Sequence, residues 1–198
     1  AYPSQSEAGQ CVRLTGMHGT VPSADRSSLS SIWELLCRAP DCTQQIPAQR
    51  FEPGSHEPAL SRGYFVSNAE AFAPALFRMS PSEVKATDPS HRVLLLAAFG
   101  AIVSGCRQPL VGGPMGVFVG FCNDGNWAHV QRDRATAVTT YFAHGSDGGS
   151  AAGRVSYLFG LKGPCLMINT ACSSSVVALQ CADNVLQART NCDGSLVA

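Results

Sequence analysis

The chain has 198 residues, with 14 basic and 14 acidic side chains, and is 45% hydrophobic but only 14% charged. So little charge excludes a disordered chain, a coiled coil and a solvated helical array. The balanced charge gives no electrostatic footprint for nucleic acid or an anionic membrane, and the longest apolar stretch, 93–106, is too short to span a bilayer. We therefore expect one domain, or part of one, with a sizeable core.

Nine cysteines are present, an odd number in a chain too long for a disulfide-stapled miniprotein, and no C-x-x-C pair occurs. This pattern predicts mostly free thiols in a reducing compartment, the cytoplasm or an organelle. The chain starts at Ala1 with no basic-then-apolar signal segment, and it ends abruptly after 195–198. We expect a fragment that begins with a frayed polar tail over residues 1–10.

In the first half of the chain, periodicity and turn residues predict a short strand over 12–17 and a helix over 28–37. The prolines of 40–58 indicate a long surface loop. A core-facing pattern resumes at Phe65, Phe72, Leu76 and Phe77. A long helix over 89–105, apolar nearly all round and capped by Asp88, is expected to be buried on several sides.

The second half alternates apolar strands with helices. The predicted elements are a strand over 116–120 buried on both faces, an irregular region over 121–150, a helix over 150–159, a buried strand over 166–168, a helix over 173–187 and a third buried strand at 196–197. The helix over 173–187 is expected to carry one apolar stripe of Val176, Leu179, Ala182 and Leu186. This alternation predicts an α/β fold with a layered sheet.

The most informative segment is 163–175, which reads as a strand, a tight turn and a helix. Cys172 sits at the turn, where unpaired N–H groups and the positive end of the helix dipole favour a thiolate over a thiol. A thiolate is a usable nucleophile near neutral pH, and the backbone N–H of Cys172 is placed to donate to an oxyanion. Small neighbours leave room for an acyl chain. The alternative is a small buried cysteine in a tight turn, which generic physics alone favours.

Six segments together resemble, in order, the β-ketoacyl synthase (ketosynthase) family, most of all the ketosynthase domains of modular polyketide synthases. The segments are 32–36, 77–83, 88–95, 116–120, the Arg-Val-Ser-Tyr stretch of 154–164 and the Thr-Ala-Cys-Ser-Ser-Ser signature of 170–175. The resemblance covers nearly the whole chain. The sequence departs from the family at Asn169, where aspartate is usual, at Cys165, where serine is common, and at Ser90 and His91, which replace two glutamines.

The resemblance implies a thiolase-like αβαβα fold built from two similar halves, of which residues 11–198 are the N-terminal half. It implies that Cys172 takes an acyl chain from a carrier-protein thioester, supported by the turn residues Thr170, Ala171, Ser173 and Ser174. A malonyl unit on a second carrier then loses CO2 and condenses with that acyl group, in fatty acid or polyketide synthesis. Such an enzyme is an acyltransferase of the 3-oxoacyl-[acyl-carrier-protein] synthase type.

The resemblance also implies the partners. The chain itself binds no cofactor or metal, since the phosphopantetheine arm belongs to the acyl carrier protein. Two histidines, a lysine and a second oxyanion N–H come from the other half, so the fragment alone is expected to be inactive. The complete enzyme is expected to be a homodimer with 166–169 near the two-fold axis.

Two other functions stay open. One is a non-catalytic relative that binds acyl chains as a partner subunit, although such relatives typically replace the cysteine. The other is a cysteine hydrolase or acyltransferase outside the family, which requires a basic partner for Cys172. No histidine has a compelling position: the His-Gly-Thr of 18–20 lies too near the N-terminus, His56 lacks a second zinc ligand, and His129 and His144 fall in the irregular region.

Overall fold

A computed structural model of the chain describes residues 12–23, 29–48, 50, 61–105, 112–122, 126–133, 140–188 and 192–198. The predicted tail, 1–10, lies outside this part of the chain. The described residues form two compact units, one from residues up to 16 and from 72 onward, and the other from 17–71. None of the described helices is long and apolar enough to cross a bilayer.

The unit of residues 17–71 contains helix α1 (Leu29–Arg38), as predicted, and two short antiparallel strands, β1 (Gln44–Gln45) and β2 (Arg62–Gly63). The strand β1 lies in the segment that we expected to be loop throughout. The Arg62 guanidinium donates to the carbonyl oxygen of Thr43 at 2.9 Å, which ties the two strands together beyond their own ladder. Strands of two residues are too short to show an alternating pattern, so the sequence does not predict this pair of strands.

The larger unit carries the other elements. In chain order they are a 3₁₀ turn (Pro74–Phe77), α2 (Pro81–Ala86), α3 (Pro89–Gly105), β3 (Met115–Gly120), α4 (Asn126–Asp133), α5 (Phe142–Ser146), α6 (Gly149–Phe159), β4 (Cys165–Ile168), α7 (Ser174–Gln187) and β5 (Gly194–Val197). The three strands form a parallel sheet in the order β4-β3-β5. Val117 in the centre pairs with Cys165 on one side and Leu196 on the other.

The sheet is covered by helices on both faces, as an α/β layered fold requires. Successive side chains of β3 point to opposite faces, so Val117 and Val119 pack with α3 and α6 while Phe118 packs with α7. Phe118 is completely buried, and every residue of β3 before Gly120 is buried. The prediction of a central strand buried on both faces is confirmed.

Three strand predictions need correction. The strand expected at 196–197 exists as β5 but is not buried, because it lies at one edge of the sheet and Val197 is exposed. Residues 12–17 form no strand: Leu14 is 70% exposed, and the segment is held instead by backbone contact, because a Cβ on Gly16 would lie 2.6 Å from the Gly105 Cα at the end of α3. The strand β4 exists but is not buried. It lies at the edge of the three-stranded sheet, and Leu166 is half exposed.

The region 121–150 is not irregular throughout, since it contains α4 and α5. The helix α4 is fixed by tertiary hydrogen bonds: Trp127 Nε1 donates to the Ala86 oxygen at 3.0 Å and Gln131 Nε2 to the Lys85 oxygen at 2.7 Å. These carbonyls belong to the end of α2, where a helix leaves its last acceptors unsatisfied. The spacing of hydrophobic residues in the sequence does not reveal such hydrogen bonds, so it does not predict α4.

Side-chain orientation differs from prediction in three other places. The stripe expected on α7 is wrong at Val176 and Leu179, which are exposed, and right at Ala182, which is buried together with Ser174 and Ala178. Among the residues expected to face the core, Phe77 is buried and stacks on Phe72, but Leu76 is half exposed. Helix α3 begins and ends where predicted, and its Val103 is exposed.

Candidate active site

The site lies at the edge of the sheet where β3 and β4 end. Parallel strands end at a common edge, which is where open α/β sheets place their ligands. The N–H of Phe121, just after β3, donates to the Ile168 oxygen at the end of β4 at 3.0 Å. Beyond Ile168 the chain turns through 169–173 and enters α7, so the structure places Cys172 in the predicted turn, before the helix.

The turn is strained at Ala171 and clamped by Ser174. Ala171 adopts φ 55°, a left-handed conformation that costs an L-residue about 1–2 kcal/mol. The buried Ser174 hydroxyl bridges this residue, since its Oγ accepts from the Thr170 N–H at 2.9 Å and donates to the Ala171 oxygen at 2.6 Å. Ser174 therefore ties the peptide group that precedes Thr170 to the one that follows Ala171.

Two other side chains stabilise the turn. Asn169 Oδ1 accepts from the Ala171 N–H at 3.2 Å, so an amide supplies this acceptor where the family pattern has a carboxylate. Ser173 Oγ donates to the Thr170 oxygen at 2.8 Å instead of capping α7. The turn is closed by the N–H groups of Ser173 and Ser174, which donate to the oxygens of Thr170 and Ala171. The N–H of Cys172 is not among the groups that close it.

Close backbone packing fixes the start of α7 against the sheet. A Cβ on Gly120 would lie 2.5 Å from the Ser175 nitrogen and 2.6 Å from the Ser174 carbonyl carbon. Both atoms belong to backbone, so neither can move aside without shifting the helix. Glycine at the end of β3 therefore lets the first turn of α7 rest directly on the strand, which positions the turn that carries Cys172.

Cys172 is exposed, which makes its thiol accessible to a reagent or a substrate arm. All seven cysteines of the described part are free thiols, in agreement with the prediction. Cys165 is different in kind: although the residue as a whole is exposed, partial burial of its sulfur raises the pKa of the thiol, and a hydrogen bond with Ser156 only partly opposes this. Cys181 is half-buried, and Cys192 is buried with its Sγ donating to the Gly194 oxygen. Neither is placed as a redox partner.

The histidines expected to be bystanders are peripheral. His129 and His144 are exposed, although they lie on α4 and α5 rather than in loops. His18 is exposed in the unit of 17–71, and His56 lies outside the described residues. Within the described part, no hydrogen bond joins the Cys172 thiol to a histidine, and no group of three or more His, Cys, Asp or Glu could hold a metal ion.

The sequence reasoning missed two features of this edge. Phe121, Cys122 and Trp127 line a cavity of about 300 Å³ beside the start of α3. Beneath Phe121 lies His91, which is completely buried. In the sequence, the only sign of these features is that His91 departs from the family pattern. Phe121 and Trp127 lie in the region 121–150, where the hydrophobic periodicity is weak.

The structure thus places an exposed cysteine between a strained turn, which follows the edge strand of a parallel sheet, and the start of a helix. The comparisons identify the family: residues 10–196 match the β-ketoacyl synthase N-terminal domain, and the chain belongs to this family. Its fold is accordingly that of the thiolase-like ketosynthases, as predicted.

Relatives and solved structures agree. The chain is 34% identical to the conidial pigment polyketide synthase PfmaE of Pestalotiopsis fici, over 98% of this chain and 9% of the relative. It is 32% identical to the spectinabilin polyketide synthase system protein NorC of Streptomyces orinoci, over 96% and 9%. The chain thus spans about a tenth of these relatives.

The ketosynthase from module 6 of the bacillaene synthase from Bacillus subtilis superposes with a TM-score of 0.70 at 27% identity, covering 87% of this chain and 28% of that one. The oxazolomycin ketosynthase domain OzmH KS7 from Streptomyces albus gives 0.73 at 30%, covering 88% and 31%.

Proposed function

We propose that this chain supplies the nucleophilic half of a β-ketoacyl synthase that extends an acyl chain in polyketide synthesis, with Cys172 as the acyl acceptor. The observation that carries the proposal is the placement of an exposed cysteine on a strained, clamped turn at the carboxyl edge of a parallel sheet. The relatives are polyketide synthases, and this favours polyketide over fatty acid products.

The chemistry proceeds in two covalent steps. The Cys172 thiolate attacks the carbonyl carbon of an acyl thioester on the phosphopantetheine arm of an acyl carrier protein. A C–S bond forms to Cys172, the bond to the carrier sulfur breaks, and the carrier thiolate takes a proton. The Cys172 N–H donates to the oxyanion of the tetrahedral intermediate, a role that suits an N–H not used in closing the turn.

In the second step a malonyl thioester on a carrier loses CO2, and the resulting carbanion attacks the acyl group on Cys172. A C–C bond forms, the Cys172 thiolate leaves, and the carrier holds a β-ketoacyl chain longer by two carbons. Strain at Ala171 is useful here, because it fixes the sulfur outside the helix at a constant position through both attacks. The phosphopantetheine belongs to the carrier, so we propose no cofactor for this chain.

The acid–base groups are proposed to come from outside this chain. Helix α7 exposes Val176 (69%) and Leu179 (56%) on the side away from the sheet, which suits burial against a second, similar half. The edge strand β4, with Leu166 half exposed, suits the dimer axis that the family resemblance implies. We therefore propose that the 198-residue chain alone releases no CO2 from a malonyl-carrier thioester. Release by the purified chain would refute this.

The experiment that tests the assignment is competitive alkylation in the assembled enzyme, read by peptide mass spectrometry. Cys172 should react fastest of the nine cysteines, and Cys165, whose thiol is disfavoured as a thiolate, should react slowly. Cys37 is an exposed reference on α1. A faster reaction at Cys37 than at Cys172 would count against the nucleophile.

A non-catalytic acyl-binding subunit is the second candidate, and the presence of Cys172 argues against it. Such a subunit would bind an acyl chain without a covalent bond. A cysteine hydrolase outside the family is opposed by the family match and by the absence, in the described part, of a histidine bonded to Cys172.

A further inference from the structure

His91 is an unusual residue for its surroundings. It lies in the first turn of α3 with none of its surface exposed, and neither Nδ1 nor Nε2 has a hydrogen-bond partner. Buried polar groups in folded proteins are bonded in the great majority of cases, and an orphaned one lowers stability. An apolar side chain would fill this space without the loss of stability that comes from burying two unbonded ring nitrogens. The imidazole is therefore expected to have a role beyond packing.

The imidazole contacts the end of the central strand. Its ring meets that of Phe121 at a centroid distance of 5.5 Å and an interplanar angle of 62°. Phe121 has two further contacts with the site edge: its N–H binds the Ile168 oxygen at the end of β4, and its side chain lines the 300 Å³ cavity with Cys122 and Trp127. Through Phe121, His91 is therefore connected to the end of β4, the strand that leads into the Cys172 turn.

The charges around His91 come from three places. Asp88 precedes α3, Asp147 lies between α5 and α6, and Arg154 projects from α6, where Glu83 of α2 holds it at 2.6 Å. The carboxylates favour a protonated ring and Arg154 disfavours it, but burial outweighs them and lowers the pKa of His91. The ring is thus neutral at neutral pH, and a proton added to it would enter a buried site that offers no hydrogen-bond partner.

We propose that His91 is a positioning residue: its neutral ring holds Phe121 in place, and its protonation releases Phe121 and opens the adjacent cavity. The edge of the sheet where β3 and β4 end then changes its structure when the pH falls. This role of His91 requires only its contact with Phe121 and the position of Phe121 beside the cavity. It does not depend on the acyl chemistry proposed for Cys172.

The chain offers a direct optical test, because it has only two tryptophans and Trp127 lines the cavity. In the full chain with Trp33→Phe, Trp127 is the sole tryptophan. Its quenching by acrylamide should rise about twofold as the pH falls from about 7.5 to well below 6.5, the ordinary value from which burial lowers the pKa of His91, since even partial opening exposes the indole. Adding His91→Gln, which keeps a polar side chain but cannot titrate, should make the quenching independent of pH.

The matched control removes a titratable residue that lies near Trp127 on α4. His129 is exposed two positions from Trp127, so His129→Gln in the Trp33→Phe background should leave the pH response intact. A response that persists in His91→Gln, or that disappears in His129→Gln, overturns the proposal. Should His91→Gln fail to fold, ¹³C-histidine NMR of the wild-type chain decides. The His91 ring must titrate together with the change in Trp127, and a transition in one without the other contradicts the proposal.

Discussion

Ser174 should contribute far more to the free energy of unfolding than Ser173 or Ser175, because it alone of the three is buried and clamps the strained residue. In Ser174→Ala, the Thr170 N–H loses its acceptor and the Ala171 oxygen loses one of two donors. Each bond contributes about 1 kcal/mol net, and an orphaned, partly buried N–H adds to the loss, so we expect about 2–3 kcal/mol in the free energy of unfolding.

The matched control is Ser175→Ala, one position along the same helix, where the side chain is exposed. It should change stability by less than about 0.5 kcal/mol, as surface substitutions do. Urea unfolding of the wild type and the two variants, followed by circular dichroism, measures the difference. Equal stability of the two variants would show that Ser174 does not hold the turn. Alkylation of Cys172 should also lose selectivity in Ser174→Ala only.

Three other substitutions or conditions test the scaffold. Gly120→Ala places a Cβ against the backbone of Ser175 and should cost about 1–3 kcal/mol as overpacking, whereas Gly153→Ala, on the open face of α6, should stabilise the chain by about 0.5–1 kcal/mol; thermal melts showing the same sign for both would contradict the close approach. Glu83→Gln removes the counter-charge of the largely buried Arg154 and should cost about 3 kcal/mol, while Glu34→Gln, in the exposed pair with Arg38, should have little effect in the same urea assay. Because the pKa of His91 is lowered in the folded state, the unfolded chain takes up the proton first; stability is complete above the ordinary value of 6.5 and falls as the pH drops below it. Urea unfolding across that range should show a weaker decline in His91→Gln, and an identical decline would mean that His91 does not titrate as argued.

Elements with a local physical signal could be predicted from sequence. Pro89 after Asp88 marks the start of α3, and Asp88 Oδ1 does accept from the Ser90 N–H at 2.8 Å. Gly160 ends α6 in the left-handed conformation that glycine adopts readily. The continuous apolar run of β3 predicts a strand covered on both faces, and the turn at Cys172 follows from the strand–helix pattern around it.

Features that depend on distant partners could not be predicted. Helix α4 is held by bonds from Trp127 and Gln131 to the end of α2, and no periodicity encodes them. On α7 the larger residues Val176 and Leu179 face outward, because Gly120 brings the first turn of the helix so close to β3 that only small side chains fit between. Hydrophobicity alone therefore places Val176 and Leu179 incorrectly, although it places Ala182 correctly.

Within the site, the sequence predicts Cys172 as the nucleophile and Ser174 among its supporting residues, but not how Ser174 supports the turn. The clamp by Ser174 and the left-handed Ala171 are three-dimensional facts, since any of the three serines could have served from sequence alone. His91 was visible only as a departure from a family pattern. Its contact with Phe121 depends on α3 meeting the end of β3, which sequence spacing does not specify.

The most direct test of the central claim is to trap the acyl group. The proposed condensing enzyme, assembled with its second half, is incubated with an acyl N-acetylcysteamine thioester, digested and examined by peptide mass spectrometry. We predict that the peptide carrying Cys172 gains the acyl mass, and that Cys172→Ala gains none. Acylation at another cysteine, or equal acylation of the Cys172→Ala variant, would contradict the assignment of Cys172 as the acyl acceptor.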